Sequence, residues 1–118
     1  MPDSPVKNSP VKKTRPLNQC GDVYGLLEQI RLRPSLWLPD RSLRDLQNIL
    51  IGYDAALTVN GLERSGFWPS GPFSDRLHAR YGWSTSTGWA GAIERNAGPE
   101  EPLQVFFRLL DEYRAEGR

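Results

Sequence analysis

The chain has 118 residues with a formal net charge of +1, one cysteine and one histidine, which is enough for one domain with a modest core and too little for two. No apolar run approaches the roughly 20 residues that a bilayer span needs, and Cys20 has no second cysteine to pair with. The opening Pro2-Asp3-Ser4 is unlike a secretory signal, so the sequence predicts a cytoplasmic protein without a membrane helix or a disulfide framework.

The charge is segregated. Lys7, Lys12, Lys13 and Arg15 precede the first apolar cluster, with Asp3 the one acid among them; beyond Arg15 there are 11 arginines against 13 acidic residues, a formal −2 with no lysine. Residues 1–18 hold four of the 10 prolines and few large apolar groups, too little burial to offset the entropy of ordering, and are predicted to be a disordered basic tail. Within it Ser4-Pro5-Val6-Lys7-Asn8 is followed by Ser9-Pro10-Val11-Lys12-Lys13, a tandem repeat that resembles the Ser-Pro-x-Lys units of histone-type DNA-binding tails. That resemblance implies an arm whose cations at 7, 12, 13 and 15 contact phosphate; the plainer reading is a solvated, duplicated leader.

Residues 19–118 are predicted to be one helical domain. Asp22 is an N-cap type residue, and Val23, Leu26, Leu27 and Ile30 share one face of a first helix that Pro34 ends. An extended apolar strap, Ser35 to Leu38, leads to a second helix, where Ser42 with Asp45 forms a capping-box variant. Leu43, Leu46, Leu50, Tyr53 and Leu57 recur along its apolar face and Gly61 terminates it. A Gly/Pro/Ser-punctuated loop from 61 to 71 carries Phe67 and Trp68. A third helix starts at Pro72, presents Phe73, Leu77 and Tyr81, and stops at Gly82. Residues 83–89 fit either a loop or a short strand. A short helix from Trp89 to Asn96 is stopped by Gly98, and a last one from Pro99 or Pro102 buries Leu103, Phe106, Phe107, Leu110 and Tyr113. Four to five helices with short connections predict an all-α, compact helical bundle.

No constellation for catalysis, metal or cofactor emerges. Cys20 and His78 are far apart in sequence without metal-ligand spacing, and Glu100-Glu101 and Asp111-Glu112 are adjacent pairs that point in different directions on a helix. The glycines at 82, 88, 91 and 98 lack the spacing of a phosphate or dinucleotide loop. His78, flanked by Asp75, Arg76 and Arg80, reads as part of a polar helix face.

Ile30-Arg31-Leu32-Arg33-Pro34-Ser35-Leu36-Trp37-Leu38 resembles, over those nine residues, the Ile-Arg-x-Arg-Pro-x-Met-Tyr-Ile stretch of DNA gyrase B-type ATPases, whose ATP lid this chain lacks. Together with Ser42-Leu43-x-x-Leu46 and Gly52-Tyr53, the strap is also similar, over about residues 26–113, to small bacterial helical proteins of the immunity-protein type. That likeness implies a non-catalytic module that neutralises a cognate toxin by direct binding. Phe67, Trp68 and Trp83 stand outside the helical periodicity, where they are either partner anchors or plugs of the open bundle end. Read as anchors, they expect a protein partner, with Glu63, Arg64, Asp75 and Arg76 as the charged surround; the alternative is a nucleic-acid-associated protein acting through its tail, and a small enzyme using His78 and Tyr81 ranks third.

Overall fold

The computed structural model describes residues 22–116, and every described regular element is an α-helix. The expectations for the basic tail lie outside the described residues. The chain divides into two units, one ending at Trp37 and the other beginning at Leu38.

In the first unit, α1 runs Val23–Leu32. The Asp22 carboxylate accepts the Gly25 N–H at 3.1 Å, so the cap read from sequence satisfies a donor that a helix start would leave without a partner. Val23, Leu26, Leu27 and Ile30 are all buried. The strap differs from expectation: Pro34–Trp37 is a one-turn helix, α2, in contact with α1. Proline stops the preceding helix, but its fixed φ and missing N–H suit the first position of a new one, and here it does both. Among the described residues the helix count therefore reaches six where four to five were expected.

The second unit holds α3 (Leu43–Val59), α4 (Pro72–Tyr81), α5 (Trp89–Asn96) and α6 (Pro102–Glu116). Ser42 Oγ accepts the Asp45 N–H, and at the far end of α3 the left-handed Gly61 (φ 74°) lets Leu62 N–H return to the Leu57 carbonyl at 2.8 Å. Gly82 (φ 73°) closes α4 in the same left-handed conformation. The segment 83–88 is a loop ending in a turn, with Gly88 N–H on the Thr85 carbonyl.

Helix α5 touches each of α3, α4 and α6, and its Trp89, Ala90, Gly91, Ala92 and Ile93 are all buried. Small residues on this short helix let its neighbours approach closely, while Trp89 fills the volume between them. Gln47 of α3 fastens the start of α5, its side-chain oxygen accepting the Ala90 N–H at 3.0 Å. Leu43, Leu46 and Leu50 of α3, Phe73 and Leu77 of α4 and Leu103, Phe106 and Leu110 of α6 complete the core. Tyr53 and Leu57, expected on the buried face of α3, are only half-buried; Asp54, wholly buried, takes that place.

Candidate functional site

The loop from Leu62 to Gly71 is irregular in backbone yet tied at many points. Asp54 Oδ1 accepts the Ser65 N–H at 2.7 Å from within α3. Gly66, at φ 99°, turns the chain so that its carbonyl receives the Phe73 N–H, and the Trp68 carbonyl receives the Gly71 N–H at 2.8 Å. A Cβ on Gly71 would stand 3.1 Å from both of those carbonyl oxygens, so any other residue there would press on the loop's own backbone. Ser74 Oγ donates to the Pro69 carbonyl at 2.6 Å.

This backbone sends two neighbouring aromatic rings to opposite fates. Phe67 is fully buried, with ring centroids 5.0 Å from Phe73, 6.1 Å from Tyr113 and 6.5 Å from Phe106, and its carbonyl accepts the Trp89 indole N–H at 2.7 Å. The anchor reading of Phe67 is thereby corrected: it plugs the core and offers a partner nothing. The turn at left-handed Gly66 and the turn that Trp68 opens set the two rings apart. Trp68 is half-buried, and the Arg64 guanidinium lies 4.3 Å from its ring centroid, a cation–π contact that holds both side chains at the surface. Glu63 is exposed beside them.

The other expected site residues lie on or after α4. Arg76 is committed to an ion pair with Glu116, which also receives Arg80 at 3.3 Å. Trp83 is half-buried and stacks on Tyr81, centroids 4.8 Å apart at 23°, with Arg80 over the other ring at 5.7 Å. Tyr81 Oη donates to Glu112 at 2.7 Å, and this bond to a carboxylate, with some burial, raises the phenol's pKa above its ordinary value. The sequence thus supplies two separate aromatic–arginine groups, Arg64 with Trp68 and Arg80 with Tyr81 and Trp83.

Asp75 is exposed and shares the wall of an open hollow of about 450 Å³ with His78, Gly82 and the hydroxyl-bearing 84–86. His78 Nδ1 stands 2.9 Å from the Trp83 carbonyl oxygen, which can only accept, so Nδ1 is the donor of this bond. The ring therefore braces the loop after α4. Arg95 ties the same loop to α5 by donating to the Ser84 carbonyl at 2.8 Å and to Thr87 Oγ1 at 3.0 Å. Among the described residues no three side chains of metal-ligand type converge, and no helix is long and apolar enough to cross a membrane.

Two structural roles were not foreseen. Asp54 Oδ2 is buried without a hydrogen-bond partner, while Oδ1 holds the Trp68 loop; Asp54 follows Leu50 by four positions, as Leu50 follows Leu46, and that spacing was its signal in the sequence. Arg41, with its backbone at φ 53°, makes a two-pronged ion pair with Glu101, whose pKa falls below the ordinary carboxylate value chiefly through those hydrogen bonds. Lys7, Lys12, Lys13 and Arg15, the candidate nucleic-acid contacts, lie outside the described residues. No protein-family model, no curated protein and no solved structure matches the chain.

Proposed function

We propose that this chain is a non-catalytic protein-binding module of the cytoplasm, an inhibitor that neutralises a cognate toxin by covering its working surface. The observation that carries the reading is the Arg64–Trp68 pair, displayed half-buried on a loop pinned from beneath by Asp54 and Ser74. Tryptophan and arginine are the residue types that most often anchor protein interfaces, and an anchor already held in one geometry loses little entropy on binding. Glu63 and Asp75, both exposed, supply acidic groups for the rim, where charge steers encounter.

The test is co-expression with the product of the neighbouring reading frame. A toxic product should be tolerated in the presence of the parent chain and not in the presence of Trp68→Ala. The purified pair should show at least a 30-fold loss of affinity for that variant, about 2 kcal/mol, while its unfolding midpoint changes little. Binding that survives Trp68→Ala unchanged would refute the assignment of this loop, and a neighbouring product without toxicity would refute the inhibitor role.

A further inference from the structure

In the first unit Leu32 and Leu36 are 53% and 71% exposed, although each belongs to a helix. With about 100° between successive residues, Leu32 falls opposite the face of α1 that buries Val23, Leu26, Leu27 and Ile30, so the helix turns it toward water. Leu36 is in α2, of whose four residues none is buried, and Trp37 beside it is half-buried. The same stretch is cationic: Arg31 and Arg33, both exposed, flank Leu32, and no acid occurs from Gln29 to Pro39. Arg31 is 3.9 Å from Glu28, and Arg33 stands between the two leucines in sequence. The segment that leads into α1 adds Lys7, Lys12, Lys13 and Arg15. Residues 1–37 thus hold six cations against Asp3, Asp22 and Glu28, a formal +3, whereas residues 38–118 hold nine arginines against 11 acids, a formal −2.

We infer that this unit is a peripheral docking surface for anionic phospholipid, with Leu32 and Leu36 dipping into the headgroup layer and the cations paired with headgroup phosphate and carboxylate. The occupant follows from the two chemistries that meet here. An array of negative charge with an apolar layer directly beneath it satisfies exposed leucines and the arginines between them at once, and an anionic bilayer is such a surface. Nucleic acid offers the charge but no apolar phase for a leucine that is 71% exposed. Guanidinium N–H groups fit phosphate and carboxylate oxygens in pairs, which suits Arg31 and Arg33 to headgroups. Shallow apolar insertion and a polybasic segment are each weak alone, and together they give reversible attachment. The charge division also orients the chain, because a lipid surface that attracts residues 1–37 repels the net negative remainder. The surface shares no residue with the Trp68 loop, and the inference stands apart from the inhibitor reading.

Co-sedimentation of the full chain with lipid vesicles tests it. The chain should bind phosphatidylcholine vesicles that contain about 30% phosphatidylserine and leave pure phosphatidylcholine vesicles in suspension without it. Raising the salt from about 0.1 M to about 0.5 M shortens the screening length from about 10 Å to about 4 Å and should release it. Arg33→Gln should weaken binding about fivefold and Arg33→Lys should keep it, since a cation near such a surface counts by its charge. Leu32→Ser with Leu36→Ser should weaken binding at least about tenfold at unchanged charge and helicity. Leu62→Ser, which removes a leucine 59% exposed but set beside Glu63, should change nothing, and neither should Trp68→Ala. Failure to bind the phosphatidylserine vesicles at the lower salt would overturn the inference, as would equal binding to both kinds of vesicle. So would binding indifferent to the paired leucine change, which would reduce this end of the chain to a polycation that holds any polyanion, nucleic acid included.

Discussion

Phe67 and Trp68 are adjacent in sequence, and truncating each to alanine should separate a core residue from a surface one. Phe67 has no exposed area and meets three rings at centroid distances of 5.0 to 6.5 Å. Removing a buried phenylalanine side chain costs about 3–5 kcal/mol, transfer and cavity together. The upper half of that range is expected, because Phe73, Phe106 and Tyr113 belong to different turns of packed helices and cannot all collapse into the space. The Trp89 indole N–H is bonded to the Phe67 backbone carbonyl, so loosening the loop also endangers that bond. For a domain whose total stability is roughly 5–15 kcal/mol, Phe67→Ala should remove about a third of it or more. Trp68→Ala, whose ring is half in water, should cost under about 1.5 kcal/mol. Urea unfolding at 25 °C, followed by tryptophan fluorescence for Phe67→Ala and by circular dichroism for both, yields the two free energies. A Phe67→Ala loss below about 1 kcal/mol at unchanged urea slope, or a larger loss for Trp68→Ala, would refute this partition of the loop.

Tyr53→Ala should cost less than Leu50→Ala, about 1–2 against 2–5 kcal/mol, since Leu50 is fully buried and Tyr53 half so; the same urea titrations rank them. Asp54→Ala should lose about 1–3 kcal/mol by orphaning the Ser65 N–H, whereas Asp54→Asn, whose amide oxygen keeps an acceptor for it, should lose less; thermal melts decide between them. The Glu101 carboxyl titrates below its ordinary value in the folded chain, so its contribution is present at neutral pH and is lost as pH falls through that lowered value; the fall in melting temperature from pH 7 to pH 3 should be smaller in Glu101→Gln than in the parent. DNA affinity, if measured, should reside in residues 1–15, with a log–log salt slope no steeper than about −3.6 for four cations, and should vanish on their removal because the remainder carries a formal −2.

Helix positions were legible where a local rule decides them. The caps at Asp22 and Ser42, the proline start of α4 and the left-handed glycine ends at 61 and 82 depend on a few neighbouring residues, and they stand where the spacing put them. The strap was misread because proline carries two opposite signals, stop and start. Choosing between them depends on whether the next four residues close a turn, which Leu36 N–H does on the Arg33 carbonyl. The buried face of α3 was misplaced by a fraction of a turn at its end: steps of three and four residues both keep to one side of a helix, and polarity favoured Tyr53 over Asp54 where burial chose the reverse.

Less of the candidate site could be read, and the reason is tertiary. Nothing in Phe67-Trp68 says which ring faces inward; that is set by the turn at Gly66, whose carbonyl accepts the Phe73 N–H, and by the hydrogen bond that Ser65 N–H donates to Asp54, eleven residues before it. The sequence could show two large rings among turn residues, and therefore that something had to be done with them, but a loop has no periodicity from which to derive a face. Arg76 illustrates the same limit with charge. On a helical wheel it is one more solvent-facing cation, yet α6 brings Glu116 to it and removes it from the set available to a partner. Arg64, which lies over the Trp68 ring, keeps a positive charge at the surface, and so the partner-facing character proposed for this chain rests on a contact between two residues four apart that no helix or strand pattern predicts.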